Sequence, residues 1–78
     1  MMHLKASVTI ESVGLVDVST IAPFGQEFYE TCLFWRGGNT VVDDCDFSES
    51  DARAMHNRWT DPAAIAKAIS DYTKIVED

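Results

Sequence analysis

Few residues in this sequence have the types and spacing that chemistry needs. The cysteines and histidines, the side chains most often used as nucleophiles, bases and transition-metal ligands, are Cys32, Cys45, His3 and His56. No CxxC pair, zinc-finger spacing, nucleophile elbow or phosphate-binding glycine loop accompanies them. A general base must sit within hydrogen-bond reach of the proton it takes, and neither histidine has a local sequence context that supplies this. Asp44-x-Asp46-x-Ser48 opens like an EF-hand loop. The match ends there, because Glu49 stands at the sixth position, where Gly is required, and Met55 at the twelfth, where a bidentate Glu is required. These residues predict no enzyme, no metal and no cofactor.

What stands out is charge. Asp43, Asp44, Asp46, Glu49 and Asp51 place five carboxylates in nine residues. Glu49 and Asp51 have a structural use, since acids in the first turn of a helix are favoured by its dipole. Asp43, Asp44 and Asp46 do not, because Asp is a poor strand former and neighbouring like charges repel. Residues that oppose local propensity mark a candidate contact surface for a basic partner; the plainer reading is an edge strand kept from aggregating by charge.

The elements that position these residues follow from hydrophobic periodicity. Leu4, Ala6, Val8 and Ile10 alternate with Lys5, Ser7, Thr9 and Glu11, which predicts a strand with one wet face. Val13 to Val18 reads as a second short strand near Gly14, and Ser19 to Gln26, with Pro23 and Gly25, as a loop. Glu27 to Phe47 reads as a β-hairpin whose tight turn is Gly38-Asn39, with Gly37-Gly38 as the alternative. The first choice sets Cys32 opposite Cys45, close enough for a cross-strand disulfide, although free buried cysteines satisfy the same pattern. On this reading Phe28, Cys32, Phe34, Val41, Cys45 and Phe47 face the core. Tyr29, Leu33 and Trp35 share the other face with Asp44 and Asp46, an aromatic and aliphatic patch rimmed by acid.

Ser48, followed three residues later by Asp51, resembles a capping box opening a helix with Ala52, Met55, His56 and Trp59 on one side. Asp61-Pro62 can start a second helix, with Ile65, Ile69, Tyr72 and Val76 in an apolar stripe. The expected fold is α+β: one domain over residues 1–78, a small antiparallel sheet of three to four strands with one or two C-terminal helices on one face.

Composition narrows the function classes. The 78 residues are 46% hydrophobic with six Lys+Arg against thirteen Asp+Glu, a net charge of −7. That balance repels phosphate and argues against direct nucleic-acid binding. No run approaches the roughly 18 apolar residues of a membrane span. Two cysteines and an alternating first segment, without a continuous apolar signal core, predict a cytoplasmic protein.

A chain of this length, acidity and strands-then-helices layout resembles the small phage-encoded inhibitors, above all the anti-CRISPR proteins. The resemblance spans the whole chain in size, charge and layout. Those families share no sequence signature, so no residue role is carried over by matching. It implies a stoichiometric binder in the bacterial host cytoplasm that occupies the DNA- or RNA-contacting basic surface of a Cascade or Cas effector complex, with carboxylates standing in for phosphates. The residues nominated for contact are Asp43, Asp44, Asp46, Glu49 and Asp51. The alternative is an interaction or assembly module (an antitoxin, a regulatory subunit or a homodimer) that binds through Tyr29, Leu33 and Trp35.

Overall fold

The computed structural model describes residues 2–77. Four strands, β1 (His3–Ile10), β2 (Gly14–Ile21), β3 (Phe28–Trp35) and β4 (Gly38–Asp46), are followed by α1 (Glu49–Arg58) and α2 (Pro62–Glu77). The sheet is an antiparallel meander in the order β1-β2-β3-β4. Both helices pack on one of its faces, α1 against β2, β3 and β4 and α2 against β1. The α+β architecture is the expected one, with four strands and two helices.

Each connection has a local cause. Between β1 and β2 the Val13 amide donates to the Ile10 carbonyl at 3.2 Å, and Gly14 follows with φ +86°, a left-handed conformation that disfavours any side chain. β2 then runs on through Ser19, Thr20 and Ile21, residues expected to be loop. Thr20 is fully buried there, and its β-branched side chain suits the pleat. The actual loop turns at Pro23–Gln26, closed by the Gln26 amide on the Pro23 carbonyl at 3.0 Å.

The β3–β4 hairpin departs from both expected turns. Trp35 pairs with Gly38, so Arg36 and Gly37 form the loop, and neither Gly37 nor Gly38 has a positive φ. These glycines provide clearance instead. A Cβ on Gly37 would lie 3.0 Å from the Trp35 indole nitrogen, and one on Gly38 would lie 3.2 Å from the Tyr72 hydroxyl. Trp35 and Tyr72 meet edge to face with centroids 5.2 Å apart, joining the hairpin to α2.

A bulge then changes the pairing. Cys32 pairs with Val41, but Thr31 pairs with Asp43, leaving Val42 as the extra residue. Beyond it the side chains of β4 exchange faces relative to a regular strand. Cys45 therefore sits opposite Tyr29, while Asp44 and Asp46 sit opposite Glu30 and Phe28. The expected Cys32–Cys45 pair is corrected by the turn and the bulge together: the earlier turn sets Cys32 opposite Val41, the bulge puts the two thiols on opposite faces, and both are free.

The helices cap as their sequences indicate. The Ser48 side chain accepts from the Asp51 amide at 3.4 Å, and Asp61 Oδ1 accepts from the Ala63 amide at 3.2 Å beside Pro62 in the first turn of α2. Ala52, Met55 and His56 of α1 are buried and Trp59 half-buried, as is Tyr72, while Ile65 and Ile69 of α2 are buried. The side chain of Val76, the last expected member of that stripe, lies outside the described residues. One core cluster joins Ile10, Val16, Val18 and Leu33 to Ile65 and Ile69, and a second joins Ala22, Tyr29, Ala52 and Met55. Among the described residues no helix is long and apolar enough to cross a membrane.

Candidate interaction surface

The helix layer decides which face of the sheet is available. Tyr29, Thr31 and Leu33 are 4%, 0% and 0% exposed, and Trp35 packs half-buried against the core. The patch expected from Tyr29, Leu33 and Trp35 is therefore the floor of the core, and it is unavailable to a partner. The cause is register: β1 and β2 offer Leu4, Ala6, Val8, Val16 and Val18 on one side, and pairing Val18 with Leu33 aligns the odd-numbered side chains of β3 with them.

Polar groups on the covered face are closed into bonds. The Thr20 and Thr31 hydroxyls lie 2.6 Å apart, and Thr20 Oγ1 is 2.7 Å from His56 Nδ1, tying β2 and β3 to α1. No buried side-chain nitrogen or oxygen among the described residues lacks a partner. Burial holds the His56 pKa below its usual value, with a smaller contribution in the same direction from His3. Asp43 also belongs to this side. Its Oδ2 accepts from the Trp59 indole at 3.0 Å and from Arg58 at 3.3 Å, while Oδ1 accepts from the Asp44 amide at 2.9 Å. The Trp59 bond contributes most to lowering its pKa. Asp43 therefore fastens β4 to the end of α1, which the run of aspartates could not indicate.

The opposite face carries no helix. Across it run four rows set by the register: Ser7, Asp17, Phe34 and Asn39; Lys5, Ser19, Cys32 and Val41; His3, Ile21, Glu30 and Asp44; then Phe28 and Asp46. Leu15, Phe34 and Val41 are exposed there at 59%, 44% and 55%. Phe28, Cys32, Phe34 and Val41 thus lie on the open face where the core was expected, Phe28 and Cys32 half-buried and Phe34 and Val41 exposed. Phe47 lies past the end of β4, 55% exposed and stacked on Tyr29 with centroids 5.1 Å apart.

Carboxylates border this apolar strip. Glu30 and Asp44 are direct cross-strand partners, Asp46 lies two residues further on, and Asp17 sits beside Phe34, held by the Ser7 hydroxyl at 2.8 Å. None of the salt bridges among the described residues engages Glu30, Asp44 or Asp46. Glu30 instead faces the Cys32 thiol, whose Sγ lies 3.9 Å from its Oε1. Desolvation first, then the Glu30 charge, raises the thiol's pKa. Cys45 is raised too, by desolvation and then by Asp51, Asp43 and Asp46. Both cysteines are thus poor thiolates at neutral pH.

Of the nominated residues, Asp44 and Asp46 reach this face. Glu49 and Asp51 are exposed in the first turn of α1, where Glu49 is 3.9 Å from Arg53. Glu30 and Asp17 were not nominated. Both are isolated acids in the sequence, and only strand pairing gathers them. Among the described residues no three His, Cys, Asp or Glu side chains are placed to hold a metal ion. Compared with known proteins, the sequence matches no family model, no curated protein and no solved structure.

Proposed function

We propose that this chain is a non-enzymatic, stoichiometric binder that docks the open face of its sheet onto the basic groove of a nucleic-acid-handling complex. The inhibitors it resembles suggest a Cascade or Cas effector complex in the bacterial host cytoplasm. The observation that carries the reading is the Glu30–Asp44 pair with Asp46 beside it. Like charges set directly across a sheet destabilise it, and none of the salt bridges among the described residues includes Glu30, Asp44 or Asp46. A basic partner would. Phe34, Val41 and Leu15 supply exposed apolar area beside the acids, so charge steers the encounter and apolar contact holds it.

The test is competition. DNA binding by purified Cascade-type and Cas effector complexes is titrated with the wild-type chain and with Asp44→Lys/Asp46→Lys. The expected result is stoichiometric loss of DNA binding by one such complex, weakened by salt. The double variant should inhibit at least about tenfold less well, as for paired charges in a desolvated interface. Asp43→Asn is unsuitable as the probe, because Asp43 anchors Trp59. DNA affinity that stays unchanged in excess wild-type chain for every complex would sink the proposal.

A further inference from the structure

The two edges of the sheet are defended unequally. β4 carries the bulge at Val42 and two exposed aspartates, Asp44 and Asp46, devices that keep an edge from pairing. β1 has neither. Its eight residues, HLKASVTI, pair with β2 without a register break and contain no proline. Lys5 is its single formal charge at neutral pH. Every second residue of an edge strand turns its N–H and C=O away from the sheet. Leu4, Ala6 and Val8, on the helix-covered side, are only half-buried, because coverage stops at this edge.

We infer that β1 pairs antiparallel with β1 of a second copy, joining two sheets into one of eight strands. A two-fold pair must match open face to open face, so opposing residue numbers must have an even sum. A sum of 12 sets Ala6 against Ala6 of the second copy at the axis, Leu4 against its Val8, Lys5 against its Ser7 and His3 against its Thr9. Apolar residues then meet apolar ones and no like charges oppose. A sum of 10 is excluded by the Lys5–Lys5 pair it would create. The net charge of −7 does not forbid the pairing, because β1 itself carries no carboxylate and four of the five in the sheet, Glu30, Asp43, Asp44 and Asp46, lie on β3 and β4. With strands ~4.8 Å apart, the two β4 strands lie roughly 34 Å from each other, several times the ~8 Å Debye length at physiological salt. The pairing leaves both acidic faces free and stands independently of the function proposed above.

Light scattering on the full chain over a concentration series tests it. A reversible dimer is expected at about micromolar to submillimolar concentrations, since an edge contact buries less than the ~1,200 Å² of a standard stable interface. Ser7→Lys, at an exposed position, places a second ammonium opposite Lys5 of the other copy on both sides of the axis. It should raise the dissociation constant at least about tenfold. Ala6→Cys in a Cys32→Ser/Cys45→Ser background should cross-link as a dimer on mild oxidation, which decides the matter should Ser7→Lys disturb folding. A chain that stays monomeric to about 0.5 mM, where a dimer this weak would still be populated, overturns the inference. So does a dimer indifferent to Ser7→Lys, or one that never cross-links at position 6.

Discussion

The two faces of the sheet treat their polar groups in opposite ways. On the covered face Thr20, Thr31 and His56 are drawn into one bonded chain, and Asp43 is held by an indole, a guanidinium and an amide. On the open face Glu30 and Asp44 are set against each other, and Phe34 and Val41 stay in water. A fold that satisfies the buried side-chain polar groups of its described residues but leaves like charges opposed outside has its stability on one side and its unspent interactions on the other. The contrast runs between adjacent residues, so it can be broken one position at a time.

The largest effect is expected from the neighbours Leu33 and Phe34. Leu33 is fully buried, and Leu33→Ala empties its place in the core cluster it shares with Val18, Ile65 and Ile69, leaving a cavity and a loss of about 3 kcal/mol. Phe34 is 44% exposed on the other side, and Phe34→Ala should cost under about 1 kcal/mol. Urea unfolding with a common slope measures both. Equal losses would mean that the open face is covered in the native state, and a second copy or other partner over it would have to be sought.

Next comes the buried chain that fastens α1. Thr20→Val keeps the shape but removes the hydroxyl shared by Thr31 and His56, leaving a buried acceptor or donor unpaired at a cost of about 2 kcal/mol. The same chain sets a pH dependence. The His56 pKa is lowered on folding, so the unfolded chain takes up the proton first. The stability tied to His56 is complete above the unfolded value of about 6.5 and is lost as the pH falls from there through the folded value. Thermal melts between about pH 7.5 and 5 should therefore fall for wild type and flatten for His56→Gln. A slope retained in His56→Gln would assign the titration elsewhere.

How much of this was legible depended on the range of the interactions. The alternation of β1, the Ser48 cap and the Asp61-Pro62 start are local signals, and the structure repeats them. The hairpin faces were not legible for two reasons: the β2–β3 register decides which side of β3 meets the helices, and one inserted residue at Val42, with no signature of its own, reverses the faces of β4 beyond it. Gly37 and Gly38 misled for a related reason. Glycine beside a turn suggests a positive φ, yet these two make room for Trp35 and for Tyr72, more than thirty residues away in the chain. Asp44 and Asp46 could be picked out as acids out of place, whereas Asp43 is set apart from them by a tryptophan bond sixteen residues away. Glu30 joins the site only through the β3–β4 register, which no local pattern encodes.

The smallest effect is the most discriminating, because its sign is unusual. Asp44→Asn removes one of the two opposed carboxylates and no hydrogen bond made by its side chain, while its amide still reaches Asp43. It should raise stability by up to about 0.5 kcal/mol, the scale of an exposed charge pair. The gain should shrink as salt is added, because screening already relieves the repulsion in the wild type. Urea midpoints for the two proteins at low and high salt read this directly. Were the acids only a solubilising edge, Asp44→Asn would leave partner binding untouched. If they are a docking surface, the variant is both more stable and a weaker binder, since the strain kept in the free chain is what a basic partner relieves.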